Sequence, residues 1–248
     1  MSSVAQSRVA WLALWLFALV ASVPARFGGT AAAGTVDIYS NLVNESNNVT
    51  GTDIAIPVAP VWAPSGAGYE WVSYGNTGCN TYLPATGICT PGPENPAAVV
   101  GNITEPNSAA ATAVFYKDFT ITDPSDSGNL YVWADDTARV WLDPGIVTTG
   151  DGSKVPGASM LIDANPNLGG NCAAGPPGCL PGMNAVVPLN LPRGTYTLVI
   201  DAYQLVGFTP FGVMYEGVLT STPEPASLLL MGLGLAGLGI LTRRPKRP

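Results

Sequence analysis

Residues 130–143, LYVWADDTARVWLD, decide the fold. Leu130, Val132 and Ala134 alternate with Tyr131 and Trp133. After Asp135-Asp136, Ala138, Val140 and Leu142 alternate with Arg139 and Trp141. A period of two is the spacing of side chains on one face of a β-strand. The same period runs through residues 195–203, TYTLVIDAY, where Tyr196, Leu198, Ile200 and Ala202 share a face opposite Thr195, Thr197 and Asp201. In AVFYKDFTIT, residues 113–122, Phe115, Phe119 and Ile121 alternate and Lys117 breaks the apolar row. Further strands are expected at 36–43, 52–62, 69–74, 184–191 and 212–220, all rich in Val, Ile, Thr, Tyr and Trp and bounded by Gly, Pro, Asn and Asp. No interior segment carries a sustained 3.6-residue period. The expected body is an all-β sandwich, two sheets packed face to face, with long loops at 75–96, 104–110, 149–157 and 164–183.

The 248-residue chain contains no histidine. That excludes a Ser-His-Asp hydrolase and an HExxH protease. It has no GxGxxG and no phosphate-cradling GxxxxGK[ST]. Ser153-Lys154 lacks the S-x-x-K spacing of Ser/Lys hydrolases. A net charge of −7 disfavours nucleic-acid binding, which draws on a basic surface.

The two ends read as addresses. Residues 1–25 have the form of a signal peptide: Arg8, then the apolar run Val9 to Ser22, then small residues that allow cleavage between 25 and 34. Such a leader implies export through the Sec translocon. Pro223-Glu224-Pro225 precedes the uncharged segment 226–242, ASLLLMGLGLAGLGILT, and Arg243, Arg244, Lys246 and Arg247 close the chain. The apolar segment has the length of a minimal membrane-spanning helix, with the basic cluster expected on the cytoplasmic side.

This tail resembles the PEP-CTERM sorting signal of Gram-negative bacteria: Pro223, Glu224 and Pro225, then a Gly/Leu-rich helix, then Arg243 and Arg244. The resemblance implies transient inner-membrane anchoring, processing by an exosortase-type enzyme, and delivery to the outer surface or an exopolysaccharide (biofilm) matrix. The same tail also goes under the label of an ice-binding protein C-terminal domain. With both ends set aside, residues 34–222 form the expected domain. There four basic residues, Lys117, Arg139, Lys154 and Arg193, face sixteen acidic ones, a charge of −12.

Cys79, Cys89, Cys172 and Cys179 lie in Gly/Pro/Asn-rich loops. In an exported chain they are expected as disulfides, paired locally as 79–89 and 172–179. A four-thiolate zinc site is the alternative, although neither spacing is that of a C-x2-C knuckle.

A second similarity covers residues 115–220. FYKDFTITD, LYVWADDTARVWLD and LNLPRGTYTLVIDAYQ look like jelly-roll modules of the galactose-binding-like group and of protective-antigen-type adhesins. In such modules the two strands around the acidic pair form a hairpin, and in some of these adhesins an Asp-Asp pair holds the calcium that bridges to sugar. The resemblance implies that role for Asp135 and Asp136. From the residues alone, Asp123-Pro-Ser-Asp126-Ser-Gly-Asn129 groups oxygen ligands like part of a calcium loop, beside the plainer reading of a turn. Calcium is therefore the one cofactor expected, on Asp123, Asp126, Asp135 and Asp136. Trp62, Tyr69, Trp71, Tyr74, Tyr82, Trp133 and Trp141 offer faces either to sugars or to the core; Trp133 and Trp141, opposite the inward rows, are the candidate ligand contacts. The expected function is a non-catalytic, exported, glycan-binding surface or matrix protein. A carboxylate-dependent polysaccharide hydrolase and a structural or ice-binding surface protein are the alternatives; for the last, only Thr120/Thr122 and Thr195/Thr197 offer Thr-x-Thr spacing.

Overall fold

The computed structural model describes residues 34–75, 77, 79–85, 88–91, 111–150, 152, 155–165, 172–204 and 210–221. The signal segment 1–25, Pro223-Glu224-Pro225, the apolar segment 226–242, Arg243, Arg244 and Ser153-Lys154 lie outside them. Among the described residues no helix is long and apolar enough to cross a membrane.

The described residues form eleven strands: β1 (Thr35–Tyr39), β2 (Glu45–Asn47), β3 (Asp53–Ala55), β4 (Val72–Tyr74), β5 (Cys79–Leu83), β6 (Ile88–Pro91), β7 (Ala113–Asp135), β8 (Thr137–Asp143), β9 (Ser159–Ile162), β10 (Ala185–Tyr203) and β11 (Gly212–Ser221). β5 and β6 pair with each other, and the other nine form one antiparallel sheet. The two longest strands turn that sheet into a sandwich. Residues 125–132 of β7 pair with 185–192 of β10, and residues 113–121 of β7 pair with 194–202 of β10. Between them the register shifts at Pro192/Gly194, a bulge facing the Asp123-Pro124-Ser125 stretch. Proline supplies no N–H to a ladder, and a bulge bends the strand that carries it.

Each half then recruits its own neighbours. The later half of β7 joins β11, which carries β1 and β4. The earlier half of β7 joins β2, and the later half of β10 joins β8 and through it β9. The inward rows meet in a single core: Ile38, Phe115, Leu130, Val132, Val140, Leu198, Ile200, Val213 and Tyr215 are all buried. The inward residues of 130–142 and 196–202 are those that the alternation selects.

Four expectations change. Residues 123–129 are not a turn; they run inside β7, where β10 and β11 pair with 126–129 on both sides and 123–124 lie at the register shift. β7 and β8 do not form a hairpin. They end and begin at Asp135 and Thr137 in different halves of the sheet, and β8 takes β10 as its partner. The 75–96 loop holds the β5–β6 hairpin. Thr197 and Asp201, expected to face outward, are buried under the 144–152 segment: Val147 N–H and Gly152 N–H donate to Thr197 Oγ1 and Asp201 Oδ1, both at 3.0 Å. The pair Thr195/Thr197 therefore makes no exposed ladder.

Candidate functional site

Trp133 and Asp135 are two residues apart on β7 and share its outward face. Trp133 is half-buried, and Tyr69 stacks on it with ring planes 8° apart and centroids 6.4 Å apart. Tyr39, from β1, also packs against Tyr69, with centroids 6.0 Å apart and planes tilted by 54°. The loop Ser65-Gly66-Ala67-Gly68 makes this row possible. Gly66 N–H donates to Tyr69 O at 3.1 Å, closing the turn. A Cβ on Gly66 would sit 2.2 Å from the Tyr69 ring, and one on Gly68, whose φ is +96°, 2.8 Å from the Tyr39 ring. Only glycine lets the backbone lie against both tyrosines. Beside Tyr69 opens a cavity of about 370 Å³ lined by Asn41, Ser65, Gly66, Gly68, Tyr69 and Glu70.

The other aromatic candidates separate by role. Trp62 and Trp71 pack together at 4.6 Å with Met214 and Cys179 in a second buried cluster, and Trp71 Nε1 donates to Ala63 O. Tyr74 joins the main core. Trp141 sits on the other half of the sheet, its Nε1 donating to Asp201 Oδ2 at 3.1 Å and its ring against Gly152, so it pins the 144–152 segment. The structure therefore separates Trp133 from Trp141. The side chain of Tyr82 lies outside the described residues.

Asp135 and Asp136 sit at the corner between the two halves, joined by a cis peptide bond and only 3% and 4% exposed. Asp136 N–H donates to Tyr203 O at 2.9 Å. The two side chains are hydrogen-bonded to each other, and burial first, then the charge of Asp136, pushes the Asp135 carboxyl well above its ordinary range. Asp135 Oδ2 is buried without a hydrogen-bond partner. Over the pair lies the loop closed by the Cys172–Cys179 disulfide, docked by Ala134 N–H to Gly178 O and Ala63 N–H to Cys179 O. A carboxylate oxygen of Asp135 and the two sulfurs lie within 4.8 Å of one another. Cys79 is also disulfide-bonded, so these cysteines do not supply the thiolates of a zinc site. The Cys89 side chain lies outside the described residues.

The oxygen donors of Asp135 and Asp136 fit a hard cation, and an unpartnered buried carboxylate oxygen is what such an ion satisfies. Asp123 and Asp126 belong elsewhere. Nine residues of extended strand, about 30 Å, separate Asp126 from Asp135, so the four acids cannot share one ion. Asp126 is 1% exposed with neither oxygen hydrogen-bonded.

A further group was not singled out from sequence. Lys117, the residue that broke the apolar alternation, is buried opposite Glu45 of β2. Its Nζ donates to Asn41 Oδ1 at 2.8 Å and Val43 O at 2.5 Å. Tyr215 OH donates to Glu45, and Asn47 Nδ2 donates to Asp53 Oδ1 at 2.5 Å. Burial raises the Glu45 carboxyl to about 7 and the Asp53 carboxyl to about 6 against the opposing hydrogen bonds and the Lys117 charge; burial also lowers Lys117. The only signal in the sequence was the misplaced lysine.

Residues 221–244 match the model of the PEP-CTERM protein-sorting motif. No curated protein matches the chain. Among solved structures, the chain is similar to the K1 cleaved adhesin domain of Lys-gingipain from Porphyromonas gingivalis W83, at 14% identity and a TM-score of 0.34, over 76% of this chain and 98% of that one. The sorting motif implies an exported, surface-associated protein processed by an exosortase.

Proposed function

We propose that the protein is a non-catalytic glycan-binding component of the cell surface or extracellular polysaccharide matrix. The observation that carries it is the half-exposed Tyr69–Trp133 stack beside the open cavity. Flat aromatic faces match the apolar face of a pyranose, and the flanking Asn41 and Glu70 supply the few polar groups that fix a ligand's orientation. Calcium is the proposed cofactor, held by Asp135 and Asp136. There it would neutralise the paired carboxylates and fix the end of the strand that carries Trp133. Both aspartates are enclosed, which supports a structural ion rather than one that touches the sugar. A Sec-type leader, transient anchoring by segment 226–242 and exosortase processing complete the proposed route.

Calorimetry of the exported protein against neutral, amino- and uronic-acid polysaccharides, with calcium and with EDTA, tests the proposal. Saturable binding to at least one polysaccharide, lost in Tyr69→Ala with the melting transition retained, is expected. Flat titrations against every polysaccharide overturn glycan binding; an unchanged melting temperature on adding calcium overturns the metal.

A further inference from the structure

The cavity beside Tyr69 is bordered by carboxylates on an aromatic wall. Glu70 lines it directly. The Tyr69 hydroxyl is hydrogen-bonded to Glu216, and the Tyr39 hydroxyl to Asp37. The strand register explains this crowding: Tyr39 of β1 lies opposite Glu216 of β11, which lies opposite Tyr131 of β7, so the carboxylate stands between two tyrosines on one face. A neighbouring cation among the described residues is Lys117. It is 5% exposed, and its Nζ is bound to Asn41 Oδ1 and Val43 O. Asn41 Oδ1 also accepts from Val43 N–H at 3.3 Å. Asn41, whose oxygen is thus engaged, lines the cavity.

We propose that this cavity is the subsite for a pyranose carrying a free ammonium group, such as a de-N-acetylated hexosamine unit of a polysaccharide. The assignment rests on the glycan-binding reading above and specifies its sugar. A volume of about 370 Å³ stands at the lower end of small-ligand pockets, which suits one sugar ring entering from an extended chain. Tyr69 supplies an aromatic wall, Asn41 a polar group for a hydroxyl, and the ammonium meets Glu70, with the charge of Glu216 behind it on the Tyr69 hydroxyl. An ammonium beside tyrosine faces and carboxylates gains both cation–π attraction and charge-assisted hydrogen bonds. A uronic acid would bring a like charge to this rim, on a domain already at −12 between residues 34 and 222. A neutral hexose would use the ring face and Asn41 but leave the carboxylates without a counter-charge.

The test uses the exported protein, titrated with fully deacetylated chito-oligosaccharide, its N-acetylated counterpart, a neutral cello-oligosaccharide and oligogalacturonate, each at low and high salt. The deacetylated ligand is expected to bind about tenfold or more tightly than its N-acetylated counterpart, to weaken with salt, and to outcompete the uronate. Glu70→Gln and Glu216→Gln, which keep size and hydrogen bonding, should each weaken it by about three- to tenfold with an unchanged melting temperature. Equal affinity for the acetylated and deacetylated ligands, or unaltered affinity in both glutamine variants, overturns the proposal. If the neutral or acetylated ligand binds best and Tyr69→Ala abolishes it, the ammonium assignment falls while glycan binding stands. Silence with all four ligands removes both.

Discussion

Lys117 shows what one residue can reveal. In sequence it is a defect in an apolar row; in the fold it is buried opposite Glu45, near Asp53 and beneath Asn41. The carboxyl of Glu45 is raised from 4.5 to about 7, and that of Asp53 from 3.8 to about 6. A raised carboxyl binds its proton more tightly in the folded state. Its contribution to stability is complete at low pH and is lost as pH climbs through the folded value. Between about pH 4.5 and pH 7 the wild type should lose stability relative to Glu45→Gln, read as the difference between their denaturant midpoints at each pH. A pH-independent difference would contradict the burial of that charge. Burial and the Asp136 charge raise the Asp135 carboxyl above its usual range, so protons compete there with the proposed calcium. The rise in melting temperature on adding calcium should therefore be larger at pH 8 than at pH 6, and Asp135→Asn should abolish it.

At the scale of elements, β7 and β10 set the architecture by each pairing in both halves of the sheet. Leu198 is fully buried on β10 between the two halves' inward rows; Leu198→Ala should cost about 2–5 kcal/mol in denaturant unfolding. The exposed Ile146→Ala, 68% accessible, should cost under about 0.5 kcal/mol. The inward rows of these strands were legible because alternation is a local property: Val132, Val140, Leu198 and Ile200 are chosen by spacing alone. Strand continuity was not. Asp123-Pro124-Ser125 has turn chemistry, and it lies at the register shift of a continuous β7 whose flanks at 113–121 and 125–132 are both held by β10. Short β2 and β9 carry no pattern long enough to detect. The candidate site was half legible. Trp133 and Asp135 could be picked from one strand, but Tyr39, Asn41, Glu70 and Glu216 reach the site from β1, the loops around it and β11, and only the register brings them together.

For the whole molecule, the sorting motif and the proposed binding platform lie in separate parts of the chain. The sorting motif spans 221–244, while the Tyr69–Trp133 platform belongs to the sandwich. Deleting 223–248 should change surface retention in cell fractionation and leave glycan affinity of the purified protein unaltered. The low charge density is a property of the body itself, where residues 34–222 carry only 20 charged side chains, sixteen of them acidic. The most direct test of the central claim is calorimetric titration of the exported protein with polysaccharide, comparing wild type, Tyr69→Ala and Trp141→Ala, each checked for an intact melting transition. Binding that disappears in Tyr69→Ala and persists in Trp141→Ala, on the opposite half of the sheet, is the predicted result. Binding that survives Tyr69→Ala, or is absent from the wild type, would contradict it.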